Sequence, residues 1–307
     1  MSHHHRPDLL PTAVLLIGST LWGLMWMPLK HLVAAGMDPV STTLTAYLAA
    51  ALLTLPVAWT FARGRQLPWA GLALLAFFGG ASAIFFIAAL MEGSVVRAMM
   101  LFFLIPAWGV ILGRIFLGEA LGPARVLAVI LALIGAFLIL GPAKILETSW
   151  QWADLFAVLA GLTLAMSNVI FRYLIECPIP VKLFSMQLGS LAFAGVAALL
   201  LGADGLSGAA SMQAVAGAAV YGITILLAAM ACTQFAVNRL PVGRVAILMT
   251  MELVVSVGSA TILGGERPTP LEWSGGLLIL IAALVEAWRR SNGRPAAGRQ
   301  PTPEAGA

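Results

Sequence analysis

Apolar residues run along this chain in blocks of roughly 18 to 24, separated by short connectors that carry Pro, Gly or charge. A helix rises about 1.5 Å per residue, so a block of that length crosses a hydrocarbon layer about 30 Å thick. The pattern predicts ten spans, at 10–32, 40–62, 69–91, 95–117, 123–141, 152–175, 180–201, 213–236, 242–264 and 271–289. A closed barrel would alternate apolar and polar positions in strands of about ten residues, and no such alternation is present. The expected fold is therefore an all-α polytopic membrane protein. The first block is longer than a signal-peptide core and has no small-residue cleavage site, so it reads as a retained helix.

Composition sharpens this reading. The chain has 307 residues, of which 61% are apolar and 10% charged, against about a quarter charged in an ordinary soluble domain. The net charge of +4 does not point to nucleic acid, because the basic residues sit between spans and not on one soluble face. With the N-terminus placed in the cytoplasm, thirteen of the 17 Lys and Arg fall on inside segments; Lys30, Arg97, Lys144 and Arg267 fall outside. The positive-inside rule thus predicts cytoplasmic termini. Cys177 lies in a connector and Cys232 inside a span, which suits plain thiols. His3, His4 and His5 read as a polar terminus, and the segment after Ser291 as a Pro/Gly-rich tail.

Compared with itself at an offset of 147, the chain superposes Arg97 on Arg244, Leu101 on Leu248, Gly118 and Glu119 on Gly265 and Glu266, Pro123 on Pro270, and Ile134 on Ile281. Gly18, Thr20 and Leu21 fall on Gly161, Thr163 and Leu164 at an offset of 143. A unit of five helices is odd-numbered, so a second copy must enter from the opposite side. Two inverted five-helix repeats, at 10–141 and 152–289, are predicted, joined by a linker at 142–151 and flanked by cytoplasmic segments at 1–9 and 290–307. Inverted repeats suit secondary transport, since two similar bundles can exchange inward-open and outward-open shapes around a midplane site. Duplication in a scaffold is the bland alternative.

The residues also carry a family resemblance. Trp22-Gly23 followed by Lys30, Pro106, the pairs Gly118-Glu119 and Gly265-Glu266, and the run Arg239-Leu240-Pro241-Val242-Gly243-Arg244-Val245-Ala246 resemble the drug/metabolite transporter superfamily. The likeness covers roughly 10–290 and is to EamA-type members, in overall character the YddG-type aromatic amino-acid exporters. It implies ten helices, cytoplasmic termini, a bacterial inner-membrane location, and a cavity bounded mainly by spans 1, 3, 4, 6, 8 and 9. It also implies a monomer exporting amino acids or related metabolites. The second half departs from the pattern, with Ala165-Met166 in place of Trp-Gly and Leu253 in place of Pro106, so strict symmetry is not expected.

Charges at bilayer depth are costly and therefore informative. Glu252, near the middle of the ninth span, can take a structural or gating role, bind a substrate amine or exchange protons; the resemblance implies an acid here regardless of substrate. Trp22 and Trp26 share a stripe with Ser19 and Lys30 on one helix face. Phe78, Ser82 and Phe86 in the third span, with Met99 and Phe103 in the fourth, offer an aromatic and methionine lining, or simple helix packing. Asn168, Tyr221 and Gln234 add polar groups. A lining of this kind fits amphipathic solutes with an apolar side chain. Lys30, Arg97 and Arg244 lie where gating or anchoring is expected, Glu119 and Glu266 where helices are capped, and Pro106, Gly79-Gly80 and Gly275-Gly276 where helices can bend.

The four aspartates lie near helix ends or in connectors, and no span carries paired carboxylates or a His-x-x-x-His pattern. No enzyme, metal site, cofactor or nucleic-acid partner is expected; the partners are a small-molecule substrate and membrane lipids. A channel, a lipid-flipping protein or a structural scaffold remain as alternatives to a transporter.

Overall fold

The computed structural model describes residues 9–117, 122–140, 151–174, 176–201, 211–237, 239–240 and 242–292. In chain order the helices are α1 (Leu9–Leu24), α2 (Trp26–Ala34), α3 (Pro39–Ala62), α4 (Trp69–Glu92), α5 (Val95–Phe102), α6 (Ile105–Leu117), α7 (Pro123–Leu140), α8 (Trp152–Tyr173), α9 (Ile179–Leu201), α10 (Met212–Tyr221), a π-helical segment Gly222–Leu226, α11 (Leu227–Val237), α12 (Val242–Ile262) and α13 (Pro270–Asn292). Their bounds fall within a few residues of the predicted spans. Seven stretches among the described residues are long and apolar enough to cross a membrane; Val126–Ile139, Met251–Ile262 and Pro270–Ala282 are shorter apolar helices.

Large apolar side chains cover the outside as well as the core, among them Trp59, Phe77, Ile115, Leu133, Leu199 and Ile262. In water such a surface would aggregate, whereas hydrocarbon solvates it. Without a hydrophobic drive between helices, close approach depends on small residues. Gly189 on α9 lies where any Cβ would collide with the Ala76 carbonyl of α4, and Gly222 does the same against the Ala46 carbonyl of α3. Gly135 on α7 and Gly275 on α13 face one another across a crossing in which each would meet the other's carbonyl oxygen.

Three predicted single helices are interrupted. The first span breaks at Met25, three residues before Pro28, whose missing N–H leaves the Leu24 carbonyl without its helical donor. The eighth passes through the π-helical segment. The fourth breaks at Phe103 and Leu104, just before Pro106, and the Phe102 carbonyl that Pro106 cannot satisfy lies against Gly161 of α8, where a Cβ would come within 2.7 Å. Gly79-Gly80 and Gly275-Gly276 instead lie within unbroken α4 and α13; they are sites of close packing and not of helix interruption.

The principal helix contacts pair α7 with α13, α3 with α9, α4 with both α8 and α9, α1 with both α11 and α12, α6 with α8, and α10 and the π segment with α3. At one face of the bundle α5 packs on α12 and α2 on α4. α1, α11 and α12 form one group and α4, α6 and α8 another, with no principal contact between them among the described residues.

Candidate functional site

The face at which the two groups meet is closed by polar contacts at helix ends. The first amides of a helix have no partner within it and attract negative charge. At the start of α5 they are met by Glu266, from the connector between α12 and α13. Its Oε1 accepts from the Val95 N–H at 2.8 Å, and its Oε2 accepts from the Val96 N–H at 3.0 Å and the Ser94 hydroxyl at 2.6 Å. Glu266 thus caps a helix of the other group, not its own. Lys30, near the end of α2, donates to the Met91 carbonyl at 3.2 Å and the Gly93 carbonyl at 2.7 Å, closing the C-terminal end of α4 with a cation.

Arg97 holds three helix starts together. Its Nε and Nη2 donate to the two carboxylate oxygens of Asp154 at 3.1 and 2.6 Å, and its Nη1 donates to Glu272 at 3.3 Å. The fork on Asp154 is the bidentate geometry that makes Arg–carboxylate pairs strong, and the Asp154 side chain is only 4% exposed. Glu272 is itself oriented by a capping box: its Oε2 accepts from the Thr269 N–H at 2.7 Å, while its own N–H donates to the Thr269 hydroxyl at 3.2 Å. Asp154 and Glu272 escaped the sequence reading, which placed Asp154 only among aspartates near helix ends or in connectors and did not single out Glu272; Thr269-Pro270-Leu271-Glu272 was the signal available.

Deeper in the bundle the two tryptophans of the first span face α11 and α12. The Trp22 indole N–H donates to the Thr233 hydroxyl on α11 at 3.2 Å, and that of Trp26 to the Ser259 hydroxyl on α12 at 2.9 Å. Between them Gly23 lies directly against the Glu252 backbone carbonyl. Trp22, Trp26, Phe86, Met99, Phe103 and Tyr221 share one apolar cluster, in which Phe86 packs on Phe102 at a ring separation of 4.4 Å. The helix breaks at Met25 and at Phe103–Leu104, and Leu226 at the end of the π segment, belong to it too. Interrupted helices and π segments concentrate at functional sites of membrane proteins.

The other predicted residues are placed differently. Phe78 packs edge-on against its neighbour Phe77, outside this cluster. Ser82 donates to the Ala160 carbonyl of α8 at 3.0 Å, joining two helices. Asn168 is exposed, near the end of α8 remote from Arg97. Gln234 is half-buried on α11 and Glu252 is buried on α12. Glu119 lies outside the described residues, as do the side chains of Pro106 and Arg244. A groove of about 290 Å³ between α2 and the π-helical span is lined by Met27, Pro28, His31, Leu32 and Gly217 and includes none of the predicted residues.

A bundle of long apolar helices, several of them interrupted, with polar contacts closing one face, has the form of a multi-pass membrane protein. The EamA-like transporter family model matches residues 10–141 and 151–286, and the chain belongs to that family, within the drug/metabolite transporter superfamily. The family consists of transporters, not enzymes. Fifteen chains of solved structures match; one, from a crystal structure, aligns with 92% of this chain and 98% of its own at 17% identity and a TM-score of 0.62, which establishes the fold. No curated protein matches.

Proposed function

We propose that this protein is an alternating-access exporter of amino acids with apolar, chiefly aromatic, side chains, akin to the YddG-type members of its superfamily. On this reading ten spans cross the bacterial inner membrane with both termini in the cytoplasm, as two inverted five-helix repeats. The principal contacts support the repeat: replacing each span by its counterpart five spans along turns α4 on α8 into α11 on α1, α4 on α9 into α10 on α3, and α6 on α8 into α12 on α1. The α3–α9 and α7–α13 pairs map onto themselves. The two ranges matched by the family model support it as well.

The observation that carries the transport cycle is the polar closure of one face. Glu266 on α5 and Lys30 on α4 bridge the groups there, and no principal contact otherwise joins α1, α11 and α12 to α4, α6 and α8 among the described residues. By the distribution of Lys and Arg the closed face is extracytoplasmic, so the conformation is open inward. Trp22, Trp26, Phe86, Met99, Phe103 and Tyr221 form a surface for an apolar side chain below this closure. Lys30, Arg97 and Glu266 act as the outer gate, with Glu252 the acid at depth.

The test is flux in liposomes containing the purified protein. The account expects saturable counterflow of phenylalanine, tryptophan or leucine, reduced by unlabelled competitors. No flux above empty liposomes for a broad amino-acid panel removes the substrate assignment. Non-saturating conductance would indicate a channel, and movement of labelled lipid alone a flippase.

A further inference from the structure

The groove between α2 and α10 contains none of the residues given to transport above. Met27 with His31, and Pro28 with Leu32, are pairs spaced by four, so together they form one face of α2. Gly217 on α10 forms the facing wall. At Gly189 or Gly222 a Cβ would strike a neighbouring backbone, whereas at Gly217 it would meet only the Leu32 Cδ2 at 3.5 Å, an ordinary contact. Close helix packing therefore does not demand a glycine at 217; lacking a side chain there, α10 leaves a slot.

The slot opens on the lipid-facing surface. Gly217 is exposed, and Val220, three residues on along the same face, is 59% exposed. At about 1.5 Å per residue, His31 lies roughly 5 Å from the end of α2 at Ala34, and Gly217 roughly 8 Å from the start of α10 at Met212. Met27 lies about 6 Å deeper than His31. The groove thus runs from headgroup level into the hydrocarbon of one leaflet, where acyl chains and not water are the solvent. Its volume of about 290 Å³ accommodates a segment of one such chain.

The chemistry at its mouth suits an anion. His31 is exposed, and its imidazole has no partner among the described residues. Its neighbour Lys30 is turned away, onto the Met91 and Gly93 carbonyls. Gln213, one turn before Gly217, is exposed on the first turn of α10, at the positive end of that helix. No carboxylate lines the groove. An apolar slot beneath hydrogen-bond donors matches a lipid chain beneath its phosphate.

We propose that this groove is a binding site for one glycerophospholipid, its acyl chain lying between Met27, Leu32 and Gly217 and its phosphate accepting a hydrogen bond from His31. The assignment to the extracytoplasmic leaflet rests on the topology proposed above; the site itself does not.

The experiment titrates the full chain, purified in detergent, with dioleoylphosphatidylglycerol and counts retained lipids by native mass spectrometry. The wild type should hold one lipid on a monomer. Dioleoylglycerol, with the same chains and no phosphate, should bind at least about tenfold more weakly, and His31→Ala should weaken the phospholipid by about tenfold, as expected for one hydrogen bond to a charged group. Gly217→Leu fills the slot and should abolish retention. His31→Ala changes only an exposed side chain, so it decides the matter even where Gly217→Leu does not fold. In vesicles of phosphatidylglycerol bearing a photoreactive acyl chain, cross-links should concentrate at Met27, Leu32 and the residues around Gly217. Retention unchanged in folded Gly217→Leu or in His31→Ala, equal binding of dioleoylglycerol, or cross-links spread evenly over the lipid-facing helices overturns the proposal. A wild-type dimer that Gly217→Leu dissociates also overturns it, giving the groove to a second copy of the chain. None of these outcomes bears on the transport reading, which solute flux decides separately.

Discussion

Replacing Glu266 by glutamine keeps the shape of the side chain while removing the charge that draws α5 to the connector after α12. The carboxylate accepts three hydrogen bonds, from Ser94, Val95 and Val96. A bond to a charged acceptor contributes roughly 2 kcal/mol net against about 1 for a neutral one; glutamine offers one acceptor oxygen instead of two, so one α5 amide loses its partner while the remaining bonds weaken, a loss of about 3 kcal/mol or more. The penalty falls on the closed conformer, because on opening the α5 amides and the side chain find water. A shift of about 3 kcal/mol changes the closed-to-open ratio by roughly 100-fold. Spin labels at Ala35→Cys and Gln151→Cys, with Cys177→Ala and Cys232→Ala, report the distance between the end of α2 and the start of α8. The wild type should show one short distance and Glu266→Gln a dominant longer one, restored by Glu266→Asp. An unchanged distance distribution in a folded Glu266→Gln protein would refute the gating argument.

Other consequences can be measured together. Arg97→Met strands the buried Asp154 carboxylate and should lower stability by about 3 kcal/mol, whereas adding Asp154→Leu should recover most of it; equal losses in both variants would argue against a coupled pair, with thermal unfolding in detergent as the readout. Gly189→Ala forces a Cβ into the Ala76 carbonyl of α4 and should cost about 1–3 kcal/mol or prevent folding, checked by monodisperse yield. Trp26→Phe removes the bond to Ser259 together with part of a buried ring and should cost about 2 kcal/mol, read from thermal unfolding in detergent. Burial pushes the Cys177 thiol above its ordinary range, although Lys182 and Arg65 pull it partly back. Less thiolate is therefore present at neutral pH than in free cysteine, and maleimide should label Cys177 slowly, faster as pH rises.

Long apolar blocks made the helix positions legible, because in lipid a backbone has few choices other than a helix. The stripe Ser19, Trp22, Trp26 and Lys30 was visible as a single face, yet its partners Thr233, Ser259 and Gly93 come from distant parts of the chain. The same limit hid Asp154 and Glu272: a carboxylate two residues into a helix looks like a local charge until Arg97 is brought beside it. Glu266 was recognisable as a capping residue by type, but the helix it caps lies about 170 residues away. Phe78 and Ser82 looked like lining because aromatic and hydroxyl residues at helical spacing serve a cavity and a helix contact equally well. Pro28 signalled the break in the first span, but the long apolar run around it masked the signal.

The central claim is that the two five-helix halves enter the membrane in opposite senses around one passage. Side-specific labelling of single cysteines in intact cells tests it most directly, at Gly64, Glu92, Arg267 and Asn292. The account predicts that Gly64 and Asn292 react only from the cytoplasm and Glu92 and Arg267 only from outside. Gly64 and Asn292 on different sides, or Glu92 and Arg267 on different sides, would contradict it.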